Sequence, residues 1–115
     1  MSLNAGIIGC GNISRFHFAG VEAAGGHVTA VCDINQEAAA SYADKYNCRK
    51  TVDWREITSA DDIDVVHITL ISSLHKEICL NAIENGKAII CEKTLTENPE
   101  DSAEVVNKAR EKGTI

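Results

Sequence analysis

The chain predicts an α/β fold built on a doubly wound parallel sheet, and three observations carry that expectation. Apolar runs bounded by turn residues alternate with stretches of helical periodicity along all 115 residues, without a linker, a repeat or a low-complexity segment. The first apolar run, Ala5 to Ile8, opens directly into Gly9-Cys10-Gly11-Asn12-Ile13-Ser14, a glycine-rich turn between a strand and a helix. The second run, Val28 to Cys32, ends in Asp33, about the 20-residue distance at which such a sheet places an acidic side chain beside its first turn.

The first strand is expected near Leu3 to Ile8. Beyond the glycines, Ile13, Phe16, His17, Gly20, Val21 and Ala24 recur at helical spacing and predict the inward face of a helix ending near Gly25-Gly26. Val28 to Cys32 forms the second strand. Asn35 is placed to cap a second helix, which turns Ala39, Tyr42, Ala43 and Tyr46 inward and stops about Asn47. A short third strand around Arg49 to Val52 and a helical turn near Trp54 to Ile57 carry little periodicity. Asp64 opens the fourth strand, Val65 to Leu70. Ser72 or Ser73 can cap the next helix, with Leu74, Ile78 and Ala82 inward and Gly86 at its close. Ala88 to Cys91 is the fifth strand. The last helix has Asn98 as cap, Pro99 at its first position, Glu100 and Asp101 in its first turn, and Gly113 at its end. Right-handed crossovers on both sides of the first strand give the order 3-2-1-4-5 and put a ligand crevice at the C-terminal ends of strands one and four. Gly9, Asp33, Leu70 and Glu92 fall at that edge.

Composition narrows the function classes. With 44% hydrophobic and 24% charged residues the chain reads as one globular domain. A net charge of −6 and the lack of a Lys/Arg cluster argue against nucleic-acid binding, which needs a basic face. The five cysteines are odd in number and widely spaced, so they read as small buried hydrophobes in a reducing compartment rather than as metal ligands or a disulfide framework. Cys10, inside the glycine turn, is the one of them to watch for reactivity. No signal peptide and no membrane-length apolar run is visible, which gives the expectation of a cytoplasmic protein without membrane contact. His17 and His67 are assigned to packing, as is Trp54.

The glycine turn has a definite chemistry. Gly9 allows the tight turn, Gly11 lets the backbone approach a pyrophosphate, and the helix that follows offers its unpaired N–H groups and positive dipole end. Asp33 can accept both hydroxyl hydrogens of an adenosine ribose. Ile34 and Asn35 supply no Arg for a 2′-phosphate, so NAD is favoured over NADP. Ser14 stands at the third fingerprint position, where Gly or Ala is usual. An ordinary turn and a solvated strand end are the alternative reading of the same residues.

Two further patterns, Ser72-Ser73-Leu74-His75 and Glu92-Lys93-Thr94, lie where the nicotinamide end of a dinucleotide would reach. Together with GCGNIS, VCDIN, DIDVVHIT and ENGKAIICEKTL, they make the chain, from Ala5 to Ile115, resemble the N-terminal domain of the glucose-fructose oxidoreductase, inositol dehydrogenase and MocA family. The resemblance implies a Rossmann domain binding NAD through Gly9, Gly11, Asn12, Ile13 and Asp33. It implies that Leu70, Ile71 and His75 line the nicotinamide-ribose side and that Glu92 contacts the cofactor. Lys93 matches the family's catalytic lysine, which binds the substrate hydroxyl and assists proton movement. The sequence departs from the family at Leu70-Ile71-Ser72, where Thr-Pro-Asn is common, and at Thr94, where Pro is common.

The same resemblance implies a substrate domain outside residues 1–115 and a sixth strand truncated after Gly113. The expected activity is therefore hydride transfer between NAD and a sugar- or polyol-type secondary alcohol, with the piece by itself unable to turn over. The exposed edge of strand five is expected to drive self-association. A non-catalytic nucleotide sensor or interaction module is the alternative. A methyltransferase fits less well, because Ile7 and Ile8 stand where that class carries an acidic residue before the glycines. His75 and Glu92-Lys93 can also be read without function, as the first turn of an exposed helix and a solvated strand end.

Overall fold

The computed structural model describes residues 3–11, 14–70, 74–91 and 99–114. Five parallel strands, β1 (Asn4–Ile8), β2 (His27–Cys32), β3 (Arg49–Thr51), β4 (Val65–Ile68) and β5 (Ala88–Cys91), form one sheet in the order β3-β2-β1-β4-β5. Five helices connect or follow them: α1 (Ser14–Ala23), α2 (Gln36–Tyr46), α3 (Arg55–Thr58), α4 (His75–Glu84) and α5 (Pro99–Lys112). The fold class and strand order are those the sequence predicts.

Side chains alternate across β1, and the two core clusters follow that alternation. Ile7, Val31, Phe18, Ala39 and Ala43 pack on the face covered by α1 and α2. Ile8, Val66, Ile68, Ile78, Ala82, Ile83 and Val105 fill the opposite face, under α3, α4 and α5. A strand buried on both faces needs apolar residues at successive positions, which is why β1 and β4 read as continuous runs rather than alternating ones. Gly6 makes room for this packing: a Cβ there would come within 2.5 Å of Ile57 Cγ2, so α3 can lie on β1 only because the side chain is missing.

Helix boundaries follow local chemistry. Asn35 caps α2, its Oδ1 accepting from Glu37 N–H at 3.0 Å and Ala38 N–H at 3.2 Å. Asn47 ends that helix in the left-handed region at φ 53°.

Two inward faces differ from expectation. In α1 the buried residues are Ser14, Phe18 and Val21, while Phe16 is 63% exposed. Phe18 wins the interior because its ring stacks on Tyr42 at 4.3 Å and on Tyr46 at 4.6 Å, a pairing across helices that periodicity within one helix cannot show. In α4, Leu74 is 40% exposed and His75 takes the inward place, with Ile78 and Ala82 buried as predicted. The Ser72, Ser73 and Asn98 caps lie outside the described residues. Trp54 packs partly buried against the core, with the Arg55 guanidinium 4.5 Å from its ring centroid.

Register brings the strand ends level. Ile8 pairs with Cys32 and with Ile68, Cys32 pairs with Thr51, and Ile68 pairs with Cys91. Residues that follow β1, β2, β4 and β5 therefore emerge side by side along one edge of the sheet.

Candidate dinucleotide site

Gly9 leaves β1 at φ 100°, a conformation that L side chains rarely adopt. A Cβ there would also stand 2.8 Å from Thr69 Oγ1 and 3.0 Å from the Thr69 carbonyl carbon. The turn is thus possible only with glycine, for conformational and steric reasons together. Thr69 completes it by donating its hydroxyl to the Gly9 carbonyl at 2.6 Å. Gly11 has the opposite environment, since a Cβ there would meet no atom within 4 Å. Open space beside the backbone at Gly11, at the start of a ten-residue helix with no acidic residue in its first turn, suits an anion held by N–H groups.

Ser14 is fully buried, and its hydroxyl donates to the Gly11 carbonyl at 2.6 Å while its N–H reaches the same oxygen at 3.0 Å. The usual Gly or Ala at this position serves close packing. Here a small hydroxyl fits the same space and satisfies its own polarity inside the turn.

Asp33 follows β2 and faces the glycine turn. Its Oδ2 accepts the Cys10 N–H at 2.8 Å, and its Oδ1 accepts the Asn35 N–H at 2.8 Å. One carboxylate therefore ties the phosphate turn to the start of α2, and each oxygen keeps further acceptor capacity for a ribose hydroxyl. The neighbouring Cys10 is a buried hydrophobe like the other cysteines of the core, despite its place in the turn. Burial, followed by the Asp33 charge, pushes its pKa up to about 12, and the side chain is 5% exposed. A thiolate next to a carboxylate in an apolar setting is disfavoured twice over.

On the other side of the crevice, Leu70 is half-buried after β4, and its carbonyl accepts from His75 Nε2 at 2.7 Å. His75 is 1% exposed, so the exposed-helix reading does not hold. Its Nδ1 lies 3.2 Å from Cys91 Sγ at the end of β5. The imidazole thereby links the segment after β4 to the end of β5. Gly9, Gly11, Asp33 and Leu70 are brought to one edge as expected. Asn12, Ile13, Ile71, Glu92 and Lys93 lie outside the described residues.

Thr69 at the glycine turn, and several residues elsewhere, make contacts that carried no signal in the sequence. Thr69 was part of an apolar strand pattern, and Cys79 and Cys91 read as generic core. Lys87 is 8% exposed, with its ammonium donating to the Ala60 and Ile63 carbonyls, a clasp between the α4–β5 turn and the segment before β4. His17 and His67 do pack together, Nδ1 to Nδ1 at 3.0 Å with rings edge to face. Burial, followed by the nearby His17, lowers the His67 pKa to about 4, so that ring is neutral at pH 7. No group of three or more metal-ligating side chains occurs among the described residues. No helix among them is long and apolar enough to cross a membrane.

Comparison with known proteins agrees with this geometry. The profile of an oxidoreductase family, described as having the NAD-binding Rossmann fold, matches residues 3–115. The 1,5-anhydro-D-fructose reductase of Ensifer adhaerens is 36% identical over 112 residues, covering 96% of this chain and 34% of that protein. Inositol 2-dehydrogenase 3 of Saccharopolyspora erythraea is 33% identical over 115 residues, covering 98% of this chain and 34% of the relative. Among solved structures, levoglucosan dehydrogenase in complex with NADH superposes with a TM-score of 0.93 at 32% identity, over 100% of this chain and 34% of that one. The chain spans about a third of the length of the curated relatives it matches. With its glycine turn and Asp33 at one sheet edge and the family profile running from residue 3 to residue 115, the chain belongs to the oxidoreductase family with the NAD-binding Rossmann fold.

Proposed function

We propose that residues 1–115 are the NAD-binding domain of an oxidoreductase that moves a hydride between NAD and a sugar- or polyol-type secondary alcohol, with the substrate pocket supplied by a further domain. The observation that carries this reading is the Asp33 carboxylate bonded to the Cys10 N–H, which sets a ribose acceptor directly against the phosphate turn. The activities named for the inositol and levoglucosan dehydrogenases support the substrate class.

NAD supplies, when bound, the nicotinamide ring that accepts or donates the hydride. The backbone of Gly9, Gly11, Asn12 and Ile13 and the N-terminus of α1 hold the pyrophosphate, and Asp33 orients the adenosine ribose. Leu70, Ile71 and Glu92 border the nicotinamide end, with His75 as a positioning residue behind Leu70. Lys93 binds the substrate hydroxyl and takes its proton, which must leave the oxygen as hydride leaves the carbon. Such an enzyme works in the cytoplasm, where NAD is available.

Calorimetry with NAD and NADP tests the assignment. Asp33 accepts from a free 2′-hydroxyl and repels a phosphate, so NAD is expected to bind more tightly; equal affinity would remove Asp33 from the ribose site. In the longer protein, Lys93→Ala is expected to lower kcat by about 10²-fold with little change in NAD affinity, and an unchanged kcat would remove its role.

Self-association through β5 belongs to the same reading. Among the described residues this strand pairs only with β4, and Ile90 on it is 49% exposed. Light scattering over a concentration series is expected to show dimers or larger species, and a monomer throughout would refute it.

A further inference from the structure

We propose that Cys91 and Cys79 form a peroxide-sensitive modification site, a dithiol that closes to a disulfide with His75 as its base. The arrangement of hydrogens follows from the partners. A carbonyl oxygen only accepts, so the short contact to Leu70 requires His75 Nε2 to carry the hydrogen, leaving Nδ1 with its lone pair. The Cys91 thiol 3.2 Å away is therefore the donor to Nδ1. Cys91 packs against the core cluster that contains Cys79, and the two side chains line the same crevice. Leu70, His75 and Cys91 thus form one directed chain, with a base at the first thiol and the second thiol on the same crevice.

Cys91 is also reachable. The crevice that both cysteines line, of about 340 Å³, lies between α5 and the sheet, bordered by Ile83, Val105, Ala109 and Thr114. Cys91 is partly exposed there, whereas Cys79 is fully buried. The neighbouring Cys91, followed by burial, raises the Cys79 pKa and keeps that thiol protonated. The roles separate accordingly: Cys91 ionises toward His75, and Cys79 responds second. None of the five cysteines is disulfide-bonded in the structure.

Hydrogen peroxide is the oxidant. His75 Nδ1 takes the Cys91 proton, the imidazolium being held at its far side by the Leu70 carbonyl. The Cys91 thiolate attacks one peroxide oxygen, the O–O bond breaks, and the departing hydroxide takes the proton from His75 to become water. Cys91 is now a sulfenic acid. The Cys79 sulfur then attacks the Cys91 sulfur, the S–O bond breaks, and the hydroxyl leaves with the Cys79 proton as a second water. Two thiols lose two electrons and two protons, and one peroxide becomes two waters.

Peptide mapping of the unsubstituted chain tests the proposal without reference to cofactor or substrate, so it stands or falls apart from the proposed function. The chain is treated with a small molar excess of hydrogen peroxide, alkylated and digested with trypsin. Cleavage after Lys76, Lys87 and Lys93 separates Cys79 and Cys91 into peptides 77–87 and 88–93. The expected product is this pair joined, at the summed mass less two hydrogens, while the Cys10 and Cys32 peptides are still alkylated. His75→Gln is expected to slow the joining roughly tenfold or more, because the thiol loses the base that ionises it. Cys79→Ala is expected to leave a sulfenic acid on Cys91, captured by dimedone. Alkylation of both Cys79 and Cys91 after other thiols have oxidised, or Cys91 joined to any cysteine but Cys79, would overturn the proposal. The map decides the question even where a variant does not fold.

Discussion

Removing the Asp33 carboxylate should cost fold stability as well as cofactor binding, and the size of the loss can be worked from its contacts. Each oxygen accepts a backbone N–H at 2.8 Å, from Cys10 and from Asn35. A hydrogen bond to a charged acceptor contributes about 1.5–3 kcal/mol when buried, and because both bonds stand partly in solvent each is discounted to about 1–2 kcal/mol. Asp33→Ala is therefore expected to lose about 2–4 kcal/mol. For a chain of 115 residues roughly 4 °C accompanies each kcal/mol, so the thermal midpoint should fall by about 8–16 °C. Asp33→Asn keeps one acceptor oxygen and should lose about half as much. Circular dichroism melts of the three proteins measure this directly. A midpoint for Asp33→Ala within about 2 °C of the parent, well inside the smallest shift worked above, would refute the argument that this carboxylate joins the glycine turn to α2. NAD affinity measured well below the lowered midpoint then reports the ribose contact separately, as a further loss of about 1–3 kcal/mol.

Gly9→Ala combines a positive φ with a Cβ 2.8 Å from Thr69 Oγ1, and the backbone of Thr69 cannot yield, so a destabilisation of about 3 kcal/mol or more is expected in urea titrations; a loss under about 1 kcal/mol would show that the turn relaxes. His67 gives a pH dependence of definite sign. Its folded pKa of about 4 lies below the ordinary 6.5, so the unfolded chain takes the proton first. Stability is full above pH 6.5 and falls as pH drops from 6.5 toward 4, by up to about 3 kcal/mol from this group. Urea midpoints at pH 7 and pH 4.5 should differ less in His67→Leu than in the parent, and equal pH dependence in the two would refute the assignment.

Alternating apolar runs, capping residues and one glycine turn were enough to fix the fold class, the strand order and the boundaries of α2. These features are local, and local backbone preference reads directly from neighbouring residues. The same holds for the placement of Gly9 and Asp33 at one sheet edge, because each directly follows a strand. Residues brought together across elements were not legible. Phe18 rather than Phe16 turned inward because Tyr42 and Tyr46 on another helix supply the stacking partners. Cys10 stood in the turn as the thiol to watch for reactivity, yet burial and Asp33 hold it protonated. His75 read as a crevice residue, and the contacts of its ring with Leu70 and Cys91 were not legible. Periodicity states which face of a helix is apolar, but the identity of a side chain's partner depends on where other strands and helices deliver their residues. Burial, pKa and hydrogen-bond direction are properties of that shared environment, so only the tertiary structure decides them.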